Sequence, residues 1–119
     1  MKSQWLEHKG KRILSGDLSN FKMDISGLKA EFEYTTGILL QQPEKSVLMV
    51  VDLRGTIISP ETLGLIKSQI DRSNKYIRKG AIVGLTGARK TLFDLLSKLT
   101  RSEVAAFDAP EPAMDWLVK

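Results

Sequence analysis

Three aspartates each close a short apolar run: Asp17 after Ile13-Leu14, Asp52 after Val47–Val51, and Asp108 after Val104–Phe107. If these runs are parallel strands, the three carboxylates share one sheet edge, where oxygen ligands could hold Mg²⁺. The same residue type after a strand is also ordinary turn and helix-cap chemistry. A second constellation runs from Gly84 through Gly87, Arg89 and Lys90 to Thr91. It stops short of the phosphate-wrapping pattern Gly-x4-Gly-Lys-Ser/Thr, because the fifth residue after Gly84 is Arg89. Gly87, Arg89 and Lys90 could still hold an anion at a helix start, or form a tight turn with solvated cations. There is one histidine, His8, and no cysteine. That excludes disulfides, thiolate metal sites, a Cys nucleophile and a His pair. No Ser or Thr has an evident base beside it. The residues therefore lead us to expect no catalytic set, no metal ligands and no cofactor.

The run Val50–Thr56 (VVDLRGT) resembles the first motif of haloacid-dehalogenase-type phosphatases, an apolar strand followed by Asp-x-Asp-Gly-Thr. Asp52, Gly55 and Thr56 match, and Leu85-Thr86-Gly87 resembles that family's second motif. The general-acid position is Arg54, which cannot shuttle a proton near neutral pH. A Mg²⁺-dependent phosphatase with Asp52 as nucleophile is thus the enzymatic alternative to a non-catalytic reading.

The elements that must position these residues alternate between two hydrophobic periods. Arg12–Asp17 reads as a strand. Asp24 to about Gln42 reads as a helix, with Ile25, Leu28, Phe32 and Leu39 on one stripe. Ser46–Leu53 is continuous, apolar and β-branched, like a strand buried on both faces. Ser59-Pro60-Glu61 is a helix start, with a Ser N-cap, Pro in the first turn and an early acid; this helix reaches about Asn74. Gly80 reads as punctuation before a strand at Ala81–Leu85. Ala88–Thr100 reads as a helix, with Ala88, Leu92, Leu96 and Leu99 aligned. Val104–Phe107 is a last strand and Pro110 opens a closing helix. The first ten residues, with Trp5 and Leu6, could add an edge strand or an arm. The order predicts one α/β domain over residues 1–119, with a mainly parallel sheet of four to five strands flanked by helices. Right-handed crossovers would bring the helix-entry loops together at the carboxyl edge.

At 119 residues with 42% hydrophobic side chains, the chain has material for a single core. No apolar run is long enough to cross a membrane. The opening MKSQWLEHKGKR lacks an apolar leader segment, so a cytoplasmic protein is expected. The net charge of +4 is uneven. Residues 67–101 hold nine basic side chains against Asp71 and Asp94, whereas residues 1–66 balance and residues 102–119 are acidic. Lys75, Arg78, Lys79, Arg89 and Lys90 are candidates for an anionic partner or membrane surface. Only Tyr76 and Phe93 are interleaved with these cations, so nucleic acid is not expected. Tyr34, Ile38, Leu65 and Phe93 fall off the main helix stripes. They could form a second apolar surface for a ligand, a protein partner or a homodimer, or be buried on a second helix face.

Three segments carry a wider likeness: residues 46–66 (SVLMVVDLRGTIISPETLGLI), 75–100 (KYIRKGAIVGLTGARKTLFDLLSKLT) and 105–117 (AAFDAPEPAMDWL). In order and spacing the chain resembles the SpoIIAA-like family, small bacterial proteins with the fold of STAS domains. The resemblance implies a STAS-like layered α/β domain and a regulatory or binding role. It explains Asp52-Leu53-Arg54-Gly55 as the counterpart of an Asp-Leu-Ser-Gly strand end. Phosphorylated antagonists carry Asp-Ser-Ser-Gly at the next helix start; here Ile57–Gly64 lacks that motif and offers only Ser59 and Thr62 for a phosphoswitch. The fold's likeness to CRAL-TRIO domains implies apolar ligands or peripheral membrane attachment. The expectation is a non-catalytic STAS-like module that uses Tyr34, Ile38, Arg54, Ser59, Thr62, Leu65 and Phe93 to meet a ligand or partner.

Overall fold

The structure, a computed structural model, describes residues 1–119. Two strands open the chain, β1 (Gln4–His8) and β2 (Lys11–Asp17). They pair antiparallel through a two-residue turn in which Lys9 and Gly10 both have positive φ. That conformation suits a tight hairpin, and Gly10 adopts it without steric cost. There follow α1 (Ile25–Leu39), β3 (Val47–Asp52), α2 (Pro60–Ser73), β4 (Ile77–Val83), a 3₁₀ turn at Gly87–Arg89, α3 (Lys90–Ser97), β5 (Glu103–Phe107) and α4 (Pro110–Leu117).

The strands lie in the order β1-β2-β3-β4-β5, and every pairing after the first is parallel. The sheet is thus mixed through one antiparallel edge strand, which the first ten residues supply. Each new parallel strand is added on the same side, so right-handed crossovers put all three connecting helices on one face. The main core bears this out: Leu28 and Phe32 of α1, Ile66 of α2 and Leu96 of α3 are buried together there. Helix α4 alone covers the other face, where Ala113 and Leu117 pack on Ile13, Val50 and Ala81. A third apolar cluster, around Leu14, Leu39 and Val47, takes in Trp5 of β1.

Local chemistry sets the element ends. The Asp24 carboxylate caps α1 by accepting from Gly27 N–H at 2.9 Å, and Ser59 Oγ caps α2 by accepting from Thr62 N–H at 3.2 Å. Three sequence expectations need correction. Gly80 does not punctuate; it lies inside β4, which starts at Ile77. The helix expected at Ala88–Thr100 begins as a 3₁₀ turn and ends at Ser97, leaving Leu99 exposed. Asn74 holds the segment that follows: its side-chain amide donates to Leu99 O at 2.9 Å and accepts from Arg101 N–H at 3.1 Å. Helix α1 stops at Leu39, short of Gln42.

The helix-entry loops do meet at the carboxyl edge. Leu18 N–H donates to Asp52 O, Asn20 N–H to Arg54 O and Lys22 N–H to Gly55 O, at 2.8–3.0 Å. Gly55 is forced by this approach: its φ is +73°, and a Cβ would lie 2.3 Å from Asn20 Oδ1.

Candidate functional site

Between α2 and the sheet lies a cavity of about 70 Å³. Met49, Val51 and Ile82 form its floor on β3 and β4, and Phe32, Ile66 and Leu96 its helical walls. Gly16 of β2 also lines it, and Met49 Cε packs where a side chain on it would stand, 3.0 Å from an added Cβ. An adjoining hollow of about 80 Å³ shares Met49, Val51, Ile70, Ser73 and Ile82 with the cavity and runs toward Thr100 and Val104. Each is about half the roughly 150 Å³ of a dry engineered cavity that takes up benzene.

One polar group in the cavity wall is unsatisfied. Gln69 Oε1 accepts from Thr36 Oγ1 at 2.6 Å, while Gln69 Nε2 is buried and has no hydrogen-bond partner. It is the only buried side-chain N or O atom of the protein in that state. Reversing the amide would leave the other terminal atom unpaired, since the Thr36 hydroxyl can donate or accept. An unmet buried polar atom costs about 1–3 kcal/mol.

No family model matches the chain, and no curated protein matches it. Among solved structures it is similar to an uncharacterized protein of the DUF3478 family from Shewanella loihica PV-4, described as having a SpoIIAA-like fold. The match has a TM-score of 0.64 at 16% identity and covers 97% of this chain and 91% of that one. This chain has a SpoIIAA-like fold. The expected α/β architecture and the resemblance, which runs from about Arg12 to the C-terminus, are thereby shown at the level of fold. No helix is long and apolar enough to cross a membrane.

The SpoIIAA-like framework places the sequence-predicted residues in several different settings. Asp17 and Asp52 are opposite one another in register on β2 and β3, whereas Asp108 follows β5, two strands away. The three aspartates therefore share an edge without forming a cluster, and no three His, Cys, Asp or Glu side chains come together to hold a metal ion. Asp52 is occupied by Arg54, whose Nε and Nη2 donate to it at 3.0 and 2.8 Å. The hydrogen bond to Asp52 raises the Arg54 pKa above its usual value. Thr56, the other phosphatase-like residue, is buried: its hydroxyl donates to Leu18 O and accepts from Phe21 N–H. Burial pushes the Asp17 carboxyl up, but hydrogen bonds from Ser19 and the Lys2 ammonium outweigh it and hold the carboxyl below its usual value.

Ser59 and Thr62 hydrogen-bond to each other at the α2 cap, and Thr62 is fully buried. Of the four off-stripe apolar residues, only Tyr34 is exposed. Ile38 packs against the Leu14–Leu39 cluster, and Leu65 and Phe93 against the main core.

The five candidate anion-binding residues are also dispersed. Lys75 pairs with Glu44 at 3.3 Å and Lys90 with Asp94 at 3.0 Å. Lys79 Nζ donates to Trp116 O at 2.7 Å and lies 4.1 Å from that ring's centroid. Arg89 donates to Thr56 O, Gly84 O and Leu53 O, stapling the loops after β3 and β4. Arg78 alone of the five has no partner of this kind.

Sequence reasoning missed Gly16, Gln69, Lys11 and Arg12. Gly16 looked like any strand residue, and Gln69 like a polar position on an amphipathic helix. Lys11 and Arg12 lay outside the basic stretch. Their common sheet edge becomes visible only once the strand order is known.

Proposed function

We propose that the protein is a non-catalytic binding module that takes up a small, mainly apolar molecule between α2 and the sheet. The observation that carries this reading is the apolar cavity beneath α2 with its one unpaired amide group, Gln69 Nε2. A ligand with a single carbonyl or hydroxyl oxygen would satisfy that donor while its hydrocarbon part fills the space between Ile66, Ile70 and Ile82. The non-catalytic part draws support from Asp52 and Thr56, whose side chains are already committed to Arg54 and to loop carbonyls.

Cyclohexanone and phenol, each with one oxygen, serve as probes. Either should raise the melting temperature in proportion to ln(1 + [L]/Kd). Ile70→Phe, which fills the space shared by both hollows, should abolish the rise; Gln69→Leu should weaken it and abolish the preference over cyclohexane. Failure of every probe to shift the wild-type melting temperature, together with no small molecule released from the purified protein on denaturing mass spectrometry, would overturn the reading.

A further inference from the structure

The amino-terminal edge of the sheet carries a second feature, independent of the cavity. Strand β4 is irregular there: Val47 of β3 pairs with Ile77 and Leu48 with Lys79, so Arg78 is an extra residue without a register partner. The consequence shows in its neighbours. Ile77 packs into the cluster with Leu39 and Val47, while Lys79, two residues on, reaches Trp116 on the opposite face. Residues two apart in a regular strand share a face; a bulge at Arg78 separates them and re-aims the side chain between them.

Arg78 is exposed and lines a hollow of about 380 Å³ at this edge, together with Lys11, Arg12 and Trp5. The hollow thus gathers three cations from β2 and β4, and none of the three is within ion-pair distance of a carboxylate. Lys2, Lys9, Arg54, Arg72, Lys75 and Lys90 have acidic partners; Lys22, Lys29, Lys67, Lys98 and Arg101 also lack one, but none of those five lines this hollow. The nearby acids do not neutralise the hollow. Glu44 is taken by Lys75, and Glu7, which faces Arg12 across the β1–β2 pair, makes no ion pair with it. Arg12 instead lies over the Trp5 ring, 4.0 Å from its centroid. All three line the same hollow, so an anion entering it meets a positive field from β2 and β4. Two guanidinium forks and an ammonium suit the several oxygens of a phosphate group, since Arg can donate to two oxygens at once.

We infer that Lys11, Arg12 and Arg78 form a binding site for a phosphate group at the amino-terminal edge of the sheet, with the β4 bulge setting the position of Arg78. The same chemistry could come from free phosphate or pyrophosphate, or from the headgroup of an anionic lipid.

Trp5 lines the site, so in a Trp116→Phe background it reports occupancy by fluorescence. Titration with phosphate and pyrophosphate at constant ionic strength, against chloride, is compared with co-sedimentation on phosphatidylcholine vesicles with and without phosphatidic acid. A saturable Trp5 change with free phosphate or pyrophosphate would identify the free anion as the source. Sedimentation only with phosphatidic acid vesicles, without a free-anion response, would identify the lipid headgroup. In either case Arg78→Gln should weaken binding about tenfold, Lys11→Gln should weaken it too, and Glu7→Gln should tighten it. Absence of any saturable response in both arms, or affinity unchanged by Arg78→Gln in a variant with wild-type circular dichroism, would overturn the proposal.

Discussion

Glu31 is a charged residue with only 2% of its surface exposed, and its partners explain why it is tolerated. Its two carboxylate oxygens accept the backbone N–H groups of Lys2 and Ser3, at 3.2 and 2.9 Å, and so moor the segment leading into β1 against α1. Replacing it with Ala would leave the buried Ser3 N–H without an acceptor. Glu31→Ala should therefore lower unfolding stability by about 1–3 kcal/mol in urea titrations, and the amides of Lys2 and Ser3 should lose their protection from hydrogen exchange. Two aspartates make a different prediction, in pH. Asp115 is held below its usual value by hydrogen bonds from Lys9 and then His8, and Asp17 is held down by Ser19 and Lys2 against its burial. Both bind protons less readily folded than unfolded. Their stabilisation is fully present above the ordinary carboxylate value of 3.8 and disappears as pH falls through their lower folded values. The urea midpoint should fall between about pH 5 and pH 2, and Asp17→Asn with Asp115→Asn should flatten that fall.

Among the elements, the α2 start shows what local chemistry alone can specify. Ser59, Pro60 and Glu61 are consecutive, and the cap bond forms where their order predicts it. Ser59→Ala should cost about 1 kcal/mol in thermal or urea unfolding, since Thr62 N–H then loses its acceptor. Strand β3 was equally legible, because a run from Val47 to Val51 buried on both faces must be apolar throughout. The misread elements depended on distant residues. Gly80 resembles a turn until Val104 on β5 is placed beside it, where a Cβ would meet Val104 Cγ1 at 3.4 Å. Helix α3 looks longer because Leu99 continues its apolar stripe, yet Asn74 on another element captures the backbone beyond Ser97. The candidate sites were the least legible of all. The cavity arises from how the side chains of α1, α2 and α3 meet those of β3 and β4, and the basic edge from a bulge and a strand order. None of these has a periodicity to read.

On the scale of the whole molecule, the two candidate sites use different properties of the same sheet. The cavity belongs to the face that carries three helices, each crossing between neighbouring parallel strands. The basic hollow belongs to the edge where β2, β3 and β4 begin. An apolar ligand under α2 and a phosphate at that edge would make separate demands, so Ile70→Phe and Arg78→Gln should each disturb one and spare the other. The sequential strand order also has a bearing on how the protein is made. Each strand pairs with the one that precedes it in the chain, so none must wait for a later strand to slot in beside it. A chain emerging from the ribosome could build its sheet one βα unit at a time, always at the growing edge. Only the face beneath Ile13, Val50 and Ala81 would stay bare until α4 emerges, because α4 is its cover. The nascent chain is thus most exposed to sticking in the interval after β5 has paired and before α4 has formed.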